Sequence, residues 1–187
     1  MNRLIPLQNG TELRLLQERD APRLFDLTNA GRAYLREWLP WVDSTRKIED
    51  SLRFVRMATR QMEENNGFHM GIWHEGELVG VIGYNYVSWP KRQTELGYWL
   101  GQAYQGKGLM TLACRGMINH AFDEMNLLRV EIHCAVGNQK SRAIPERLGF
   151  TEEGIRQQTE WLYTYFADSV VYSMSLGRWQ ELYPTKN

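Results

Sequence analysis

Trp99-Leu100-Gly101-Gln102-Ala103-Tyr104-Gln105-Gly106-Lys107-Gly108-Leu109-Met110 carries the densest chemical signal in the chain. The residue pattern predicts a strand over Thr94 to Leu100 before it. After it comes a long helix over Leu109 to Met125, with Leu112, Ile118, Phe122 and Met125 at helical spacing. Glycine lets a backbone approach a ligand closely and adopt conformations closed to other residues. The free N–H groups of a helix start, at the positive end of its dipole, form an anion site. The segment therefore reads either as a tight strand-to-helix turn or as a cradle for a phosphate. Gly101-x4-Gly106-Lys107 also matches seven positions of a Walker A loop. The eighth, which should be Ser or Thr to hold magnesium, is Gly108.

Upstream of the loop, Thr11 to Leu16 alternates as a strand. Asp20 offers a helix cap, and Pro22 is tolerated in the first turn that follows. Leu24, Phe25, Leu27, Tyr34 and Leu35 supply the apolar stripe of a helix or helix pair. Pro40 breaks that pattern and leaves Trp38 and Trp41 in or beside a turn. A second helix is expected over Ile48 to Glu64, stopped by Asn65-Asn66-Gly67. Phe68 to Trp73 and Leu78 to Val87 read as an antiparallel hairpin. Downstream, a strand is expected over Arg129 to Val136, and a short helix over Ser141 to Leu148 closed by Gly149. The last strands are Phe150 to Ile155 and Ser169 to Leu176. Pro145 predicts a helix that begins no earlier than Asn138, with an irregular first turn, because an interior proline costs about 3 kcal/mol. This order of elements is α/β or α+β with a mixed sheet.

Composition narrows the class further. The 187 residues carry 22 Lys and Arg against 22 Asp and Glu, so no bulk positive field is available to grip nucleic acid. Aromatic content of 12% with zero net charge is opposite to the disordered signature. The length suits one domain, residues 1–187, with a sizeable core. No window has the roughly 18 apolar residues of a membrane span. The start, Met1 to Gln8, has no apolar core of signal-peptide length. Two lone thiols, Cys114 and Cys134, then suggest a reduced, cytoplasmic protein. His69, His74, His120 and His133 show no metal spacing, so no metal site is expected.

The six positions Ala103 to Gly108 fit the Q/R-x-x-G-x-G/A pyrophosphate loop of the GNAT N-acetyltransferases at both glycines. The first position departs, being Ala instead of Gln or Arg. Leu96-Gly97-Tyr98-Trp99-Leu100, followed by Tyr104 to Met110, resembles the RimJ/RimL-type ribosomal-protein N-terminal acetyltransferases of that superfamily. In that branch an aromatic-Gln/Trp-Gly-x-Gly run is usual. Further on, Asn138-Gln139-Lys140-Ser141-Arg142-Ala143-Ile144-Pro145-Glu146-Arg147-Leu148-Gly149-Phe150 matches the branch's second signature, N-x-x-S, a short helix, then L-G-F. The resemblance covers residues 10–178.

That resemblance implies a GNAT fold, a mixed central sheet of about seven strands flanked by about four helices. It implies acetyl-CoA as cofactor and an amine as acceptor, most of all the α-amine of a ribosomal protein. Acetyl transfer to an amine requires a held pyrophosphate, a polarised thioester carbonyl, a deprotonated amine and a protonated leaving thiolate. The amides of Gln105, Gly106, Lys107, Gly108, Leu109 and Met110 match the pyrophosphate loop. Tyr98, Trp99 and Leu100 occupy the splayed strand whose backbone meets the thioester. Asn138 matches a pantetheine ligand, with an Asx turn as its structural alternative. Ser141 matches the branch's general acid; a Ser there also suits a helix cap. Glu160 matches its base, with Glu37, Glu95 and Glu131 as weaker candidates. Lys107, Lys140 and Arg142 are candidate phosphate partners. Trp38, Trp41, Trp89, Trp161, Tyr163 and Tyr165 border the acceptor groove or fill the core. A homodimer is implied by analogy, and neither nucleic acid nor membrane is an expected partner. A small-molecule amine acetyltransferase, for a polyamine or an antibiotic, and a non-catalytic acyl-CoA-binding module are the competing readings.

Overall fold

A computed structural model describes residues 4–184. Met1 to Arg3 of the leading segment and residues 185–187 of the expected domain lie outside the described residues. Eight strands form one sheet: β1 (Leu4–Pro6), β2 (Thr11–Leu15), β3 (Phe68–His74), β4 (Glu77–Ser88), β5 (Gln93–Leu100), β6 (Arg129–Ala135), β7 (Thr151–Leu162) and β8 (Tyr165–Ser175). Their order is β1-β2-β3-β4-β5-β6-β8-β7. Every neighbouring pair is antiparallel except β5 and β6. Six α-helices accompany the sheet: α1 (Ala21–Ala30), α2 (Arg32–Arg36), α3 (Ile48–Glu63), α4 (Leu109–Asn119), α5 (Gln139–Arg147) and α6 (Leu176–Leu182).

Local chemistry explains the joints. Glu75 and Gly76 take φ of 51° and 81°, the two left-handed residues of a tight turn between β3 and β4. Asn65, at φ 56°, ends α3. Asp20 stands at the start of α1, but its carboxylate accepts from the Gln17 N–H at 2.9 Å rather than from the helix. The larger apolar cluster joins the sheet to α4 through Ala113, Cys114, Met117 and Ile118, all fully buried. A smaller one joins it to α1 and α3 through Leu24, Val55, Trp73, Leu78 and Val81.

The architecture is the expected one, with several corrections. One strand and two helices exceed the expected numbers. The unexpected β1 and α6 are short, and β1 contains Pro6, so neither has a full period to read. Ser175 ends β8 and caps α6 by accepting from the Arg178 N–H at 3.3 Å. The long helix stops at Asn119 and widens into a π turn over His120–Glu124. β7 runs on to Leu162 past a register shift between Arg156 and Glu160, where Gln158 has φ 52°. The polar run at that shift hides the alternation. Helix α5 starts at Gln139, inside the expected limit, but Pro145 is its seventh residue instead of lying near the first turn.

Candidate functional site

β5 pairs with β6 at only three positions, Gln93↔Arg129, Thr94↔Val130 and Glu95↔Glu131. Beyond them, Leu96 to Leu100 stay registered on β4, while Ile132 to Ala135 stay on β8. The two strands diverge into a V-shaped gap. A register shift at Asn85 in β4, opposite the apex, adds twist at that place. Tyr98, Trp99 and Leu100 form the β5 edge of the gap.

The glycine segment follows. Gly106 and Gly108 have φ of +76° and +75°. A Cβ at either would meet nothing within 4 Å. Glycine is needed there for its conformation, not for space. Gly108 is the N-cap of α4, and no side chain caps that helix start. Its first amides remain available to an anion.

Helix α5 forms the opposite wall. Here the start is capped: Asn138 Oδ1 accepts from the Ser141 N–H at 3.1 Å. The cap is Asn138, so Ser141 is the capped residue and not the capping one. Pro145 has no N–H to give the Ser141 carbonyl one turn back. The Tyr98 hydroxyl donates to that carbonyl instead, at 3.1 Å, across from β5. Ser141 Oγ lies 3.2 Å from Cys134 Sγ and 3.5 Å from the Tyr98 hydroxyl. Burial raises the Tyr98 phenol well above its usual range and raises the Cys134 thiol as well. Both groups therefore stay protonated beside Ser141 at neutral pH.

These elements enclose a cavity of about 880 Å³. Tyr98, Trp99, Leu100, Gln105, Gly106, Gly108, Leu109, Met110, Asn138 and Ser141 line it; Lys107 and Glu160 do not. Lys107 Nζ sits 5.6 Å from the Tyr104 ring. Lys140 lines the cavity and donates to Gln105 Oε1 at 3.1 Å. Arg142, also a candidate phosphate partner, does not line the cavity: it donates to Tyr172 and the Val136 carbonyl and pairs with Glu146 and Glu152. An elongated thiol cofactor fits this lining. Uncapped amides can take its diphosphate, apolar β5 residues can flank its arm, and hydroxyl groups await its sulfur.

Across the gap lies a second, aromatic region. Trp41 packs on Trp99 with ring centroids 5.7 Å apart, and Trp38 and Leu39 reach the cavity. The β7–β8 turn folds toward them, so that the Tyr163 hydroxyl donates to the Leu39 carbonyl at 2.8 Å. Trp161 stacks edge-on against Phe166 at 4.9 Å, and with Tyr165 both stay about half exposed. Trp89 belongs elsewhere: its indole donates to the Asn65 carbonyl beyond α3. Glu160 keeps solvent access, yet partial burial, and secondly the charge of Glu95, raise its carboxyl above the usual glutamate value. Glu37 follows the end of α2.

A polar chain beyond the expected site residues crosses the gap's apex. Asn85 donates to Glu95 at 2.7 Å, and His133 lies 3.3 Å from Glu95 and 3.1 Å from Glu131. Burial alone would raise Glu131; hydrogen bonds from Arg129 and His133 outweigh it and hold the carboxyl low. The chain clamps the apex of the gap. The polar alternation Arg129, Glu131, His133 on β6 was its sequence signal. Cys134 and the Tyr98 hydroxyl had none, since they meet Ser141 only through tertiary packing. Among the described residues no group of three or more His, Cys, Asp or Glu forms a metal site, and no helix is long and apolar enough to cross a membrane.

Comparison with known proteins agrees with this geometry. The family described as acetyltransferase (GNAT) domain matches residues 11–151. YdaF of Bacillus subtilis (strain 168), named as a ribosomal N-acetyltransferase, is 37% identical over 170 residues, covering 90% of this chain and 92% of the relative. The ribosomal-protein-serine acetyltransferase of Escherichia coli (strain K12) is 28% identical over 92% of this chain and 97% of its own. Among solved structures, the RimL ribosomal L7/L12 α-N-protein acetyltransferase, in complex with coenzyme A linked by a disulfide to a cysteine, superposes with a TM-score of 0.89 at 27% identity. That likeness covers 94% of this chain and 99% of RimL. The microcin C7 self-immunity acetyltransferase MccE, in complex with acetyl-CoA and AMP, gives 0.87 at 28% identity, over 90% of this chain and 94% of its own. The chain belongs to the GNAT acetyltransferase family and is an acetyl-CoA-dependent N-acetyltransferase.

Proposed function

We propose that this enzyme acetylates the N-terminal α-amine of a protein, a ribosomal protein foremost, with Glu160 as base and Ser141 as acid. The observation that carries the reading is the relation between the two regions of the gap. The glycine loop and Ser141 share one cavity, and the aromatic groove opens beside the same stretch of β5. The relatives' names support a ribosomal-protein acceptor. The cofactor supplies the acetyl group as a thioester. The first amides of α4 and the Lys140 ammonium would hold its diphosphate, and the Asn138 side-chain NH₂ would face its arm. The unpaired edge of β5 at Tyr98 to Leu100 would hold the carbonyl, where a lost donor typically costs about 2.7–4 kcal/mol. Ser141 would give a proton to the departing sulfur. Glu160 would take the amine's proton, directly or through water. The reading extends to residues 1–187 acting as one catalytic domain, in the cytoplasm, as a homodimer, without direct contact to nucleic acid or membrane. The resemblance to the RimJ/RimL type is its support.

The test is turnover of acetyl-CoA with a panel of N-terminal peptides, read as released thiol and acetylated mass. Ser141→Ala and Glu160→Gln should each lower kcat by about a hundredfold or more. Full turnover in both variants overturns the assigned roles. The base works only when ionised. Because the Glu160 carboxyl is raised, kcat/KM should fall with decreasing pH at a higher pH than an ordinary glutamate allows. Glu95→Gln should move that limb to lower pH, and Glu160→Gln should abolish it. Turnover on a polyamine or an antibiotic, with none on peptides, transfers the reading to a small-molecule acceptor.

A further inference from the structure

The cofactor cavity continues past the glycine loop. Its lining runs along Thr111 and Leu112 to Arg115 on α4 and to Arg147 in the last turn of α5. Arg147 Nη1 donates to Thr111 Oγ1 at 2.9 Å, which turns the guanidinium across the first turn of α4. The Arg115 guanidinium carbon lies 4.9 Å from the Tyr183 ring. The Tyr183 hydroxyl in turn donates to the Leu148 carbonyl, next to Arg147. Both arginines are exposed on the cavity rim, and among the described residues no carboxylate lies within ion-pair distance of either. Asp123 and Glu124 border the cleft on the far side of Arg115 without reaching it. Arg142, on the same helix as Arg147, shows the contrast, since Glu146 and Glu152 neutralise it. Two arginines without a carboxylate partner on the rim of one cavity offer an anion there two cations.

The spacing selects the anion. Met110 ends the run of amides suited to the diphosphate. Arg115 lies five residues further, about 7.5 Å along the helix axis. In coenzyme A one ribose ring separates the diphosphate from the 3′-phosphate, a comparable span. The opposite end of the cavity is committed to the sulfur through Ser141. We infer that Arg115 and Arg147 form the subsite for the ribose 3′-phosphate and make this enzyme select coenzyme A over its 3′-dephospho form. A planar guanidinium suits such a group, because its paired donors match two phosphate oxygens at once. The inference rests on the cofactor and on the proposed placement of its sulfur at the Ser141 end; it is independent of the acceptor and of the role of Glu160.

Calorimetric titration of the full chain with coenzyme A and with 3′-dephospho-coenzyme A tests it without turnover. The wild type should bind coenzyme A about tenfold tighter or more. Arg115→Gln and Arg147→Gln should each narrow that ratio, and the double variant should erase it, with the affinity for the dephospho form unchanged. Circular dichroism and thermal midpoints would establish that each variant is folded. A wild type that does not discriminate overturns the proposal, as does a ratio that survives the double variant. Equal weakening of both ligands also overturns it, by assigning the arginines to the diphosphate. No binding of either ligand by the wild type would instead refute the cofactor site itself.

Discussion

The two banks of the β5–β6 gap are built by different means. The cofactor bank is made of backbone: two glycines at positive φ, an uncapped helix start, and a strand edge without a partner. Behind it α4 is locked into the core by fully buried side chains. The bank proposed for the acceptor is made of side chains on irregular segments. Trp161, Tyr165 and Phe166 are each about half exposed, and the β7–β8 turn meets the Trp38–Trp41 segment through one hydrogen bond spanning 124 residues of sequence. A bank that meets the same coenzyme in every cycle can rely on backbone donors, which are insensitive to side-chain drift. A bank that chooses among amines needs replaceable side chains on loops.

The sharpest way to break this contrast is at the loop. Gly106→Val with Gly108→Val forces two β-branched residues into left-handed conformations, at roughly 1–2 kcal/mol or more each. A Cβ at either position meets nothing within 4 Å, so the strain falls on the loop backbone and not on the core. Coenzyme A affinity should fall more than tenfold in calorimetry with circular dichroism preserved. An unchanged affinity would remove the backbone cradle from the account. A smaller effect is expected where the banks share a wall. Tyr98→Phe orphans the Ser141 carbonyl and should cost about 1–3 kcal/mol in a denaturant titration. Adding Pro145→Ala, which returns an N–H to that position, should recover part of the loss. If no recovery follows, the phenol is needed for some other contact. The smallest effect belongs to the acceptor bank. Tyr163→Phe should cost about 1 kcal/mol or less and raise the acceptor KM a few-fold, leaving coenzyme A affinity unchanged. Equal losses on both ligands would mean that the banks do not act separately.

The same contrast sets what was legible in sequence. Glycines at a strand-to-helix junction, and Asn138 with Ser141 three residues on, are local patterns with local physical causes. Residues of both segments line one cavity in the structure. Element order led to the mixed sheet because most strands are long enough to alternate. Pro145 announced an irregularity but not its remedy, which comes from Tyr98 on a distant strand. The arginine Arg142 looked equivalent to other nearby cations until Glu146, Glu152 and Tyr172 were seen to engage it. The groove aromatics were only partly sorted. Trp41 and Tyr163 converge on the gap, whereas Trp89 packs beyond α3, and residue type alone cannot separate these fates. Long-range pairing decides them.

The short parallel pairing between β5 and β6 also bears on cohesion. Three residue pairs join a five-stranded piece to a three-stranded piece, and the Asn85–Glu95–His133–Glu131 clasp reinforces that seam at one end. At the other end the pieces are spanned by contacts such as the Tyr98 phenol to α5. A coenzyme bound across the opening, as proposed, would act as a cross-brace between the two pieces. Its binding adds to folding stability by RT ln(1 + [L]/Kd). A well-supplied cell would thus keep the enzyme not only charged with its acyl donor but also stitched together by it.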